Sequence, residues 1–143
     1  MAKAASYETD LLELIFNATA IADLAENDTT SPATNLYVSL HTADPSAGTQ
    51  ATSEATYGSY ARVAVARTSG GWTVSGNGVS NTAEVQFPAS SDATSETITH
   101  FGIGTTVSGA TALLYAGTVS PNISMANGVQ PTFAIGDIDV TES

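Results

Sequence analysis

The side chains able to do chemistry in this sequence are few, and their spacing limits what they can do. Only two histidines occur, His41 and His100. A hydroxyl nucleophile needs such a base within hydrogen-bond reach. Neither histidine has a GxSxG elbow nearby, and each lies in strand-like alternation. A surface or core role is therefore expected for both, and no catalytic residue is assigned. The absence of cysteine removes thiolate nucleophiles, disulfides and Cys-ligated metals together. Glycoside hydrolysis needs two carboxylates flanking the scissile bond. Carboxylates are plentiful here, but a single Trp72 and few other aromatics give a sugar little to stack on. The expectation is a protein that is not an enzyme.

Metal and phosphate sites fare no better. Asp137 and Asp139 are two apart, which on a strand puts both on one face, with Glu142 close by. Oxygen ligands suit Ca²⁺, yet no EF-hand pattern accompanies them. They read more simply as a solvated face of the last strand, with Ile138 and Val140 turned inward. Gly102 and Gly104 in FGIGTT form no P-loop, because no lysine follows them. They fit close backbone packing or a bulge instead. No metal and no cofactor is expected. Lys3 is the sole lysine, so an internal Lys–Asn crosslink is not expected either.

The remaining cations, Arg62 and Arg67, each need a partner. Five residues apart on a strand, they point to opposite faces. Two readings stay open for them: a local ion pair, or a salt bridge between subunits.

Charge sets further bounds. Three basic residues stand against fourteen acidic ones, a net charge of -11, and charged residues are only 12% of the chain, against roughly a quarter in an ordinary domain. Ser, Thr, Asn and Gly must carry the solubility. Such a surface repels phosphate, so no nucleic-acid partner is expected; acidity also suits a salty environment. Met1 to Ser6 lack the basic start and apolar run of a signal peptide, and no stretch is apolar enough to span a bilayer. Synthesis in a cytoplasm and no membrane partner are the expectations.

The elements that must position these residues are mostly strands. One helix is predicted, from a Thr9 cap to about Glu26, with Asp10 and Glu13 in its first turn. Leu11, Leu14, Ile15, Ala18, Ala22 and Ala25 recur at helical spacing, and Leu12 and Phe16 widen the apolar face. A loop containing Pro32 follows. The period then changes to two: Leu36, Val38 and Leu40 alternate with Tyr37, Ser39 and His41. Similar stripes surround Val63, Val85, Phe101, Leu113, Phe133 and Ile138. Turn residues such as Asp44-Pro45, Gly76-Asn77-Gly78 and Gly136-Asp137 separate them. Ala43 to Gly58 has no clear period and is expected as a surface loop. The predicted fold is mainly β: an antiparallel, jelly-roll-like β-sandwich with one N-terminal α-helix. It forms a single domain over 1–143, with helix and loop in 1–34 and the sandwich in 35–143.

The order of motifs carries a resemblance. The helix LLELIFNATA leads into NLYVSLHTADP (35–45), then YGSYARVAVAR (57–67), GGWTVSGNGVSNTAEVQFPAS, ITHFGIGTT and LLYAGTVSPNISMANGVQPTFAIGDIDV. This series resembles small tailed-phage virion proteins, often labelled tail fibre proteins. It is also similar to the jelly-roll cement, or decoration, proteins of phage capsids. The resemblance covers about Leu11 to Val140. It implies a virion protein made in the bacterial host. The compact size and acidic surface favour a cement protein on the outer capsid, bound to the major capsid protein and repelled from packaged DNA. A tail or baseplate component is the alternative.

A cement protein acts as a homo-oligomer, a trimer in preference to a dimer, because valency multiplies weak contacts. Its binding to the expanded shell stabilises that shell by mass action. Leu12 and Phe16 are the expected apolar contacts with the capsid, against the plainer reading that both are buried within the domain. Phe16→Asp is then expected to weaken attachment and spare the fold. Asp23 and Glu26, at the acidic helix end, are expected to meet a basic partner in a salt-dependent way, against the plainer reading of a solvated turn. Arg62 and Arg67 are the candidate subunit contacts.

Overall fold

Period-two alternation and frequent turn residues put most of the chain into short strands, and one helix precedes them. The computed structural model describes residues 4–21 and 33–143. The elements in chain order are α1 (Ala5–Asn17), β1 (Asn35–His41), β2 (Val63–Ala66), β3 (Trp72–Ser75), β4 (Gly78–Asn81), β5 (Val85–Gln86), β6 (Thr97–Gly104), β7 (Leu113–Ser124), β8 (Thr132–Phe133) and β9 (Asp139–Thr141). They form three sheets, ordered β2-β1-β6-β7, β3-β4-β9 and β5-β8. The mainly β class with an N-terminal helix, consistent with a β-sandwich, is as expected. The strands divide four, three and two, not into the two four-stranded sheets of an eight-stranded jelly roll.

The chain folds as two compact units. The first holds Met1–Asn35, Val65–Val85 and Phe133–Ser143, and the second holds Leu36–Ala64 and Gln86–Thr132.

In the first unit, α1 packs on β3 and β4. The helix lies earlier than predicted. Thr9 does not cap it: Ala4 precedes it with no side-chain cap, and Glu8 is the acidic residue of the first turn. The Thr9 hydroxyl instead donates to the Gly76 carbonyl at 2.5 Å. The helix stops at Asn17 because Ala18 turns left-handed, φ 55, and the Thr19 N–H closes back on the Glu13 carbonyl at 3.0 Å. Such a closure satisfies carbonyls that the helix end would otherwise orphan.

β3 and β4 make a hairpin in the register Trp72↔Asn81 to Ser75↔Gly78. Its turn needs a positive φ at the first central residue, and Gly76 supplies it with φ 60. β9 joins β4 through Val79↔Val140. Asn81, 1% exposed, ties the return of the chain. Its Nδ2 donates to the Ala83 and Ala134 carbonyls, and its Oδ1 accepts from the Ile138 N–H at 2.9 Å. Leu12, Phe16, Trp72, Val79 and Ile138 form the buried centre.

In the second unit, β1 pairs antiparallel with β6 from Tyr37↔Gly104 to His41↔His100. β6 pairs in turn with β7, from Thr97↔Ser124 to Gly104↔Leu113 with two register shifts. Leu36, Val38 and Leu40 are buried, as their stripe predicts. Ser39 and His41 on the other face of β1 are buried as well, both 0% exposed. A sheet covered on both faces, with polar groups under one cover, must satisfy those groups internally.

Candidate functional site

The expected contact residues part company in the structure. Leu12 and Phe16 are both 0% exposed. The Phe16 ring meets Trp72 edge-to-face with centroids 4.8 Å apart. This corrects the expectation of an outward apolar face. The helix starts and stops earlier than its sequence stripe suggested, and its one apolar face is spent on β3 and β4. A buried ring presents no surface to a capsid. Asp23 and Glu26 lie outside the described residues.

Arg67 finds no carboxylate partner among the described residues. Its guanidinium donates to three backbone carbonyls: Ile15 and Leu14 at 2.6 Å and Ala33 at 2.7 Å. It thereby caps the carbonyl end of α1, where the dipole favours a cation, and ties it to residue 33. The sequence placed only acidic residues at the helix end; the compensating cation comes from fifty residues downstream.

Arg62 resolves the other way, as a local ion pair. Its side chain is 1% exposed, and Nε stands 2.6 Å from Glu54 Oε1. Nη2 donates to Glu54 Oε2 at 2.8 Å, so the pair is bidentate. The rest of the fork goes to Gln50 Oε1 (3.1 Å), the Thr106 carbonyl (3.0 Å) and the Gly109 carbonyl (2.8 Å). A guanidinium has five N–H donors, and all five are engaged within the second unit. None remains for a salt bridge to another subunit, which corrects that reading for Arg62.

The polar groups under β1 extend this network. Gln50 Nε2 donates to the Tyr37 carbonyl at 2.7 Å and to Ser39 Oγ at 3.2 Å. The Tyr60 hydroxyl donates to Glu54 Oε1 at 2.9 Å and accepts from the Leu40 N–H at 3.1 Å. Burial, opposed by the Leu40 bond and reinforced by Glu54, pushes the Tyr60 phenol far above its usual range, so it stays a neutral donor. Ser39 Oγ lies 2.9 Å from His41 Nε2, and His41 Nδ1 lies 2.8 Å from the Thr52 carbonyl. A carbonyl only accepts, so Nδ1 carries the proton and Nε2 accepts a hydrogen bond from the Ser39 hydroxyl, whose other acceptor in reach is the Gly102 carbonyl at 3.3 Å.

That spacing is the geometry of a serine activated by a histidine, which the absence of an elbow motif hid. Its surroundings close it off. A Cβ at Gly102 would stand 2.7 Å from His41 Nε2 and 2.9 Å from Ser39 Oγ, and one at Gly104 would stand 2.0 Å from Gln50 Oε1. Both glycines let β6 lie directly on the network, as the close-packing reading of FGIGTT expects. With Ser39 and His41 wholly buried, no substrate atom reaches the pair in this conformation.

Sequence reasoning missed Gln50 and Glu54, because Ala43 to Gly58 shows no period and is expected on the surface, and with them Tyr60, which lies just beyond that stretch. In fact Pro45, Gln50, Ala55 and Tyr57 are buried. A second carboxylate, Glu96, holds the same stretch by accepting from the Thr56 and Tyr57 N–H groups at 3.0 Å each. The available signal was composition. Glu54 and Arg62 stand alone in a stretch that is otherwise nearly free of charge, and low-dielectric burial makes such a pair seek itself.

Beside the ion pair a cleft of about 330 Å³ opens, lined by Glu54, Tyr60, Arg62, Val107 and Gly109 among others. Its one cation has no N–H to spare, so it offers an anion little. Asp137, read with Asp139 as a possible oxygen pair, instead accepts from the Ala134 N–H at 2.9 Å and closes a turn.

Burial lowers the His41 pKa below its usual 6.5, with Arg62 and His100 adding to the shift and the Thr52 carbonyl and Glu54 opposing it. The unfolded chain therefore takes up a proton that the folded chain resists, and stability falls as pH drops through 6.5. The exposed Asp44 and Asp92, whose pKa values hydrogen bonds lower from 3.8, lose their contribution only in stronger acid. Urea unfolding midpoints at about pH 7.5 and about pH 5.5 are expected to differ, with the lower midpoint in acid. His41→Gln is expected to flatten that difference. An equal difference in the variant assigns the effect to another group.

Residues 4–141 match the model of a family described as podophage GP4 fiber I protein gp80. No curated protein matches the chain.

Proposed function

We propose that this chain, which belongs to the podophage GP4 fiber I protein gp80 family of phage virion structural proteins, is a non-catalytic building block of a phage fibre that acts in several copies. The family match over residues 4–141 carries this reading. Three further observations support a structural role. Among the described residues, the serine–histidine pair at catalytic spacing, Ser39 with His41, is sealed. The arginine with carboxylate and carbonyl partners organises its own unit. The net charge of -11 disfavours nucleic acid as a partner. A fibre longer than one such chain needs repeated copies, so the chain's own copies are the first partners to expect.

A second reading, a cement protein on the outer capsid that binds the major capsid protein, is favoured by the acidic surface. It tolerates the outside of a shell and is repelled from the DNA within. Antibody labelling of intact virions in electron micrographs, with copy number by mass spectrometry, separates the two. Label confined to projecting fibres, at far fewer copies than the coat protein, is the expected result. Label spread over the whole shell at a number comparable with the coat protein overturns the fibre reading for the cement one.

A further inference from the structure

From Thr97 through Gly136 the sequence carries no Asp, Glu, Lys or Arg. That is an unusual gap in a chain of net charge -11, and it contains all of β6 and β7. β7 is the outermost strand of the sheet β2-β1-β6-β7. At 12 residues it is also the longest strand, and its far edge pairs with no described strand. Leu114, Ala116, Thr118 and Ser120 line one exposed face of it, with Leu114 38% exposed.

An open edge of this kind templates pairing with another strand. Proteins that must avoid such pairing place charges, proline or an early end there. β7 has no charge, and Tyr115 to Thr118 pair with β6 without interruption, between a register shift at Leu114 and the irregular stretch that holds Pro121. The other edges are protected in the usual ways. β2 and β3 have four residues each, and β9 has three. β9 also carries the exposed Asp139.

We propose that the β7 edge is the surface through which two copies of this chain associate, strand against antiparallel strand. The inference rests on the reading that the chain acts in several copies and adds where they meet. The occupant follows from charge. Two chains of this acidity repel wherever their carboxylates approach within a Debye length, about 8 Å at physiological salt. β7 is the long edge at which main-chain groups meet without that repulsion. A basic partner would gain nothing from a surface without carboxylates. The pairing adds backbone hydrogen bonds between copies and is its own two-fold complement, so it gives a dimer, the less favoured of the two oligomers in the sequence-based expectation.

Sedimentation velocity of the full chain from about 5 to about 500 µM tests this, since association is a mass-action equilibrium. The expected result is a monomer–dimer equilibrium that Ala116→Asp with Thr118→Asp weakens by about tenfold or more. Both positions are exposed on the strand, and like charges set opposite one another across a pair destabilise it. Thr141→Asp, a single added charge on exposed β9, is expected to leave the equilibrium within about twofold. Hydrogen exchange on the unmodified chain gives a reading independent of any variant's folding. Amides of Leu113 to Val119 should slow as concentration rises. A chain that sediments as a monomer throughout overturns both this inference and the several-copies reading. A dimer that persists in the doubly substituted variant, with β7 exchange independent of concentration, overturns this inference alone.

Discussion

Replacing Arg62 by alanine is expected to cost about 3–5 kcal/mol of folding stability, the range for breaking a buried ion pair from one side. The cost has several parts. Glu54 keeps its charge in a site whose side-chain exposure is 17%, without the fork that balanced it. Gln50 Oε1 and the carbonyls of Thr106 and Gly109 lose their donors at the same time. Thermal unfolding followed by far-UV circular dichroism should show a fall of roughly 10 °C or more. Amides in the segment 105–111, which two of these carbonyls anchor, should exchange faster even below the melting range. Arg62→Lys is expected to recover little. An ammonium keeps the charge but has three donors and no planar fork to match a carboxylate and three carbonyl or amide oxygens. The double variant with Glu54→Ala should be less destabilised than the sum of the singles, because the stranded carboxylate is gone. A loss of under about 1 kcal/mol for Arg62→Ala places the pair among solvated surface bridges and removes the network as the organiser of this unit.

How much of that network was legible in the sequence depends on which face of β1 is considered. Leu36, Val38 and Leu40 declare a buried face by period alone, and they are buried. Ser39 and His41 read as the solvated face of the same strand, because alternation distinguishes apolar from polar and not inside from outside. What encloses them is the stretch from Ala43 to Gly58, whose buried positions follow no period. Its order comes from side-chain bonds to remote residues, Gln50 to Tyr37, Glu54 to Arg62 and Glu96 to Thr56 and Tyr57. Partners of that kind are not encoded in local spacing. The glycines Gly102 and Gly104 were the one clear trace, since they need a close neighbour to explain them, and that neighbour is the network.

Phe16→Asp is expected to unfold the first unit, and this reverses the sequence-based expectation that it would spare the fold. By sequence period, Leu12 and Phe16 read as an extra stripe beside Leu11, Leu14 and Ile15, free to meet a partner. A 13-residue helix of three to four turns has one face to bury, and Leu12 and Phe16, four apart, are that face. Sequence period cannot rank two adjacent apolar stripes; the aromatic partner ranks them, and Trp72 comes from a hairpin far along the chain. Aspartate there places a carboxylate against the Trp72 ring with no cation among the described buried residues of this unit. The penalty for such an uncompensated charge is about 3–5 kcal/mol, added to the lost ring packing of comparable size. Together these rival the whole stability of an ordinary domain. Trp72 is the only tryptophan of the chain, so its fluorescence reports this event directly: emission should shift to the red and the near-UV dichroism of the indole should vanish. Phe16→Leu, which keeps an apolar side chain over the indole, should retain both signals at a modest cost in stability. A Phe16→Asp protein with blue, structured Trp72 emission and a cooperative melt would return Phe16 to the surface and restore it as a candidate contact.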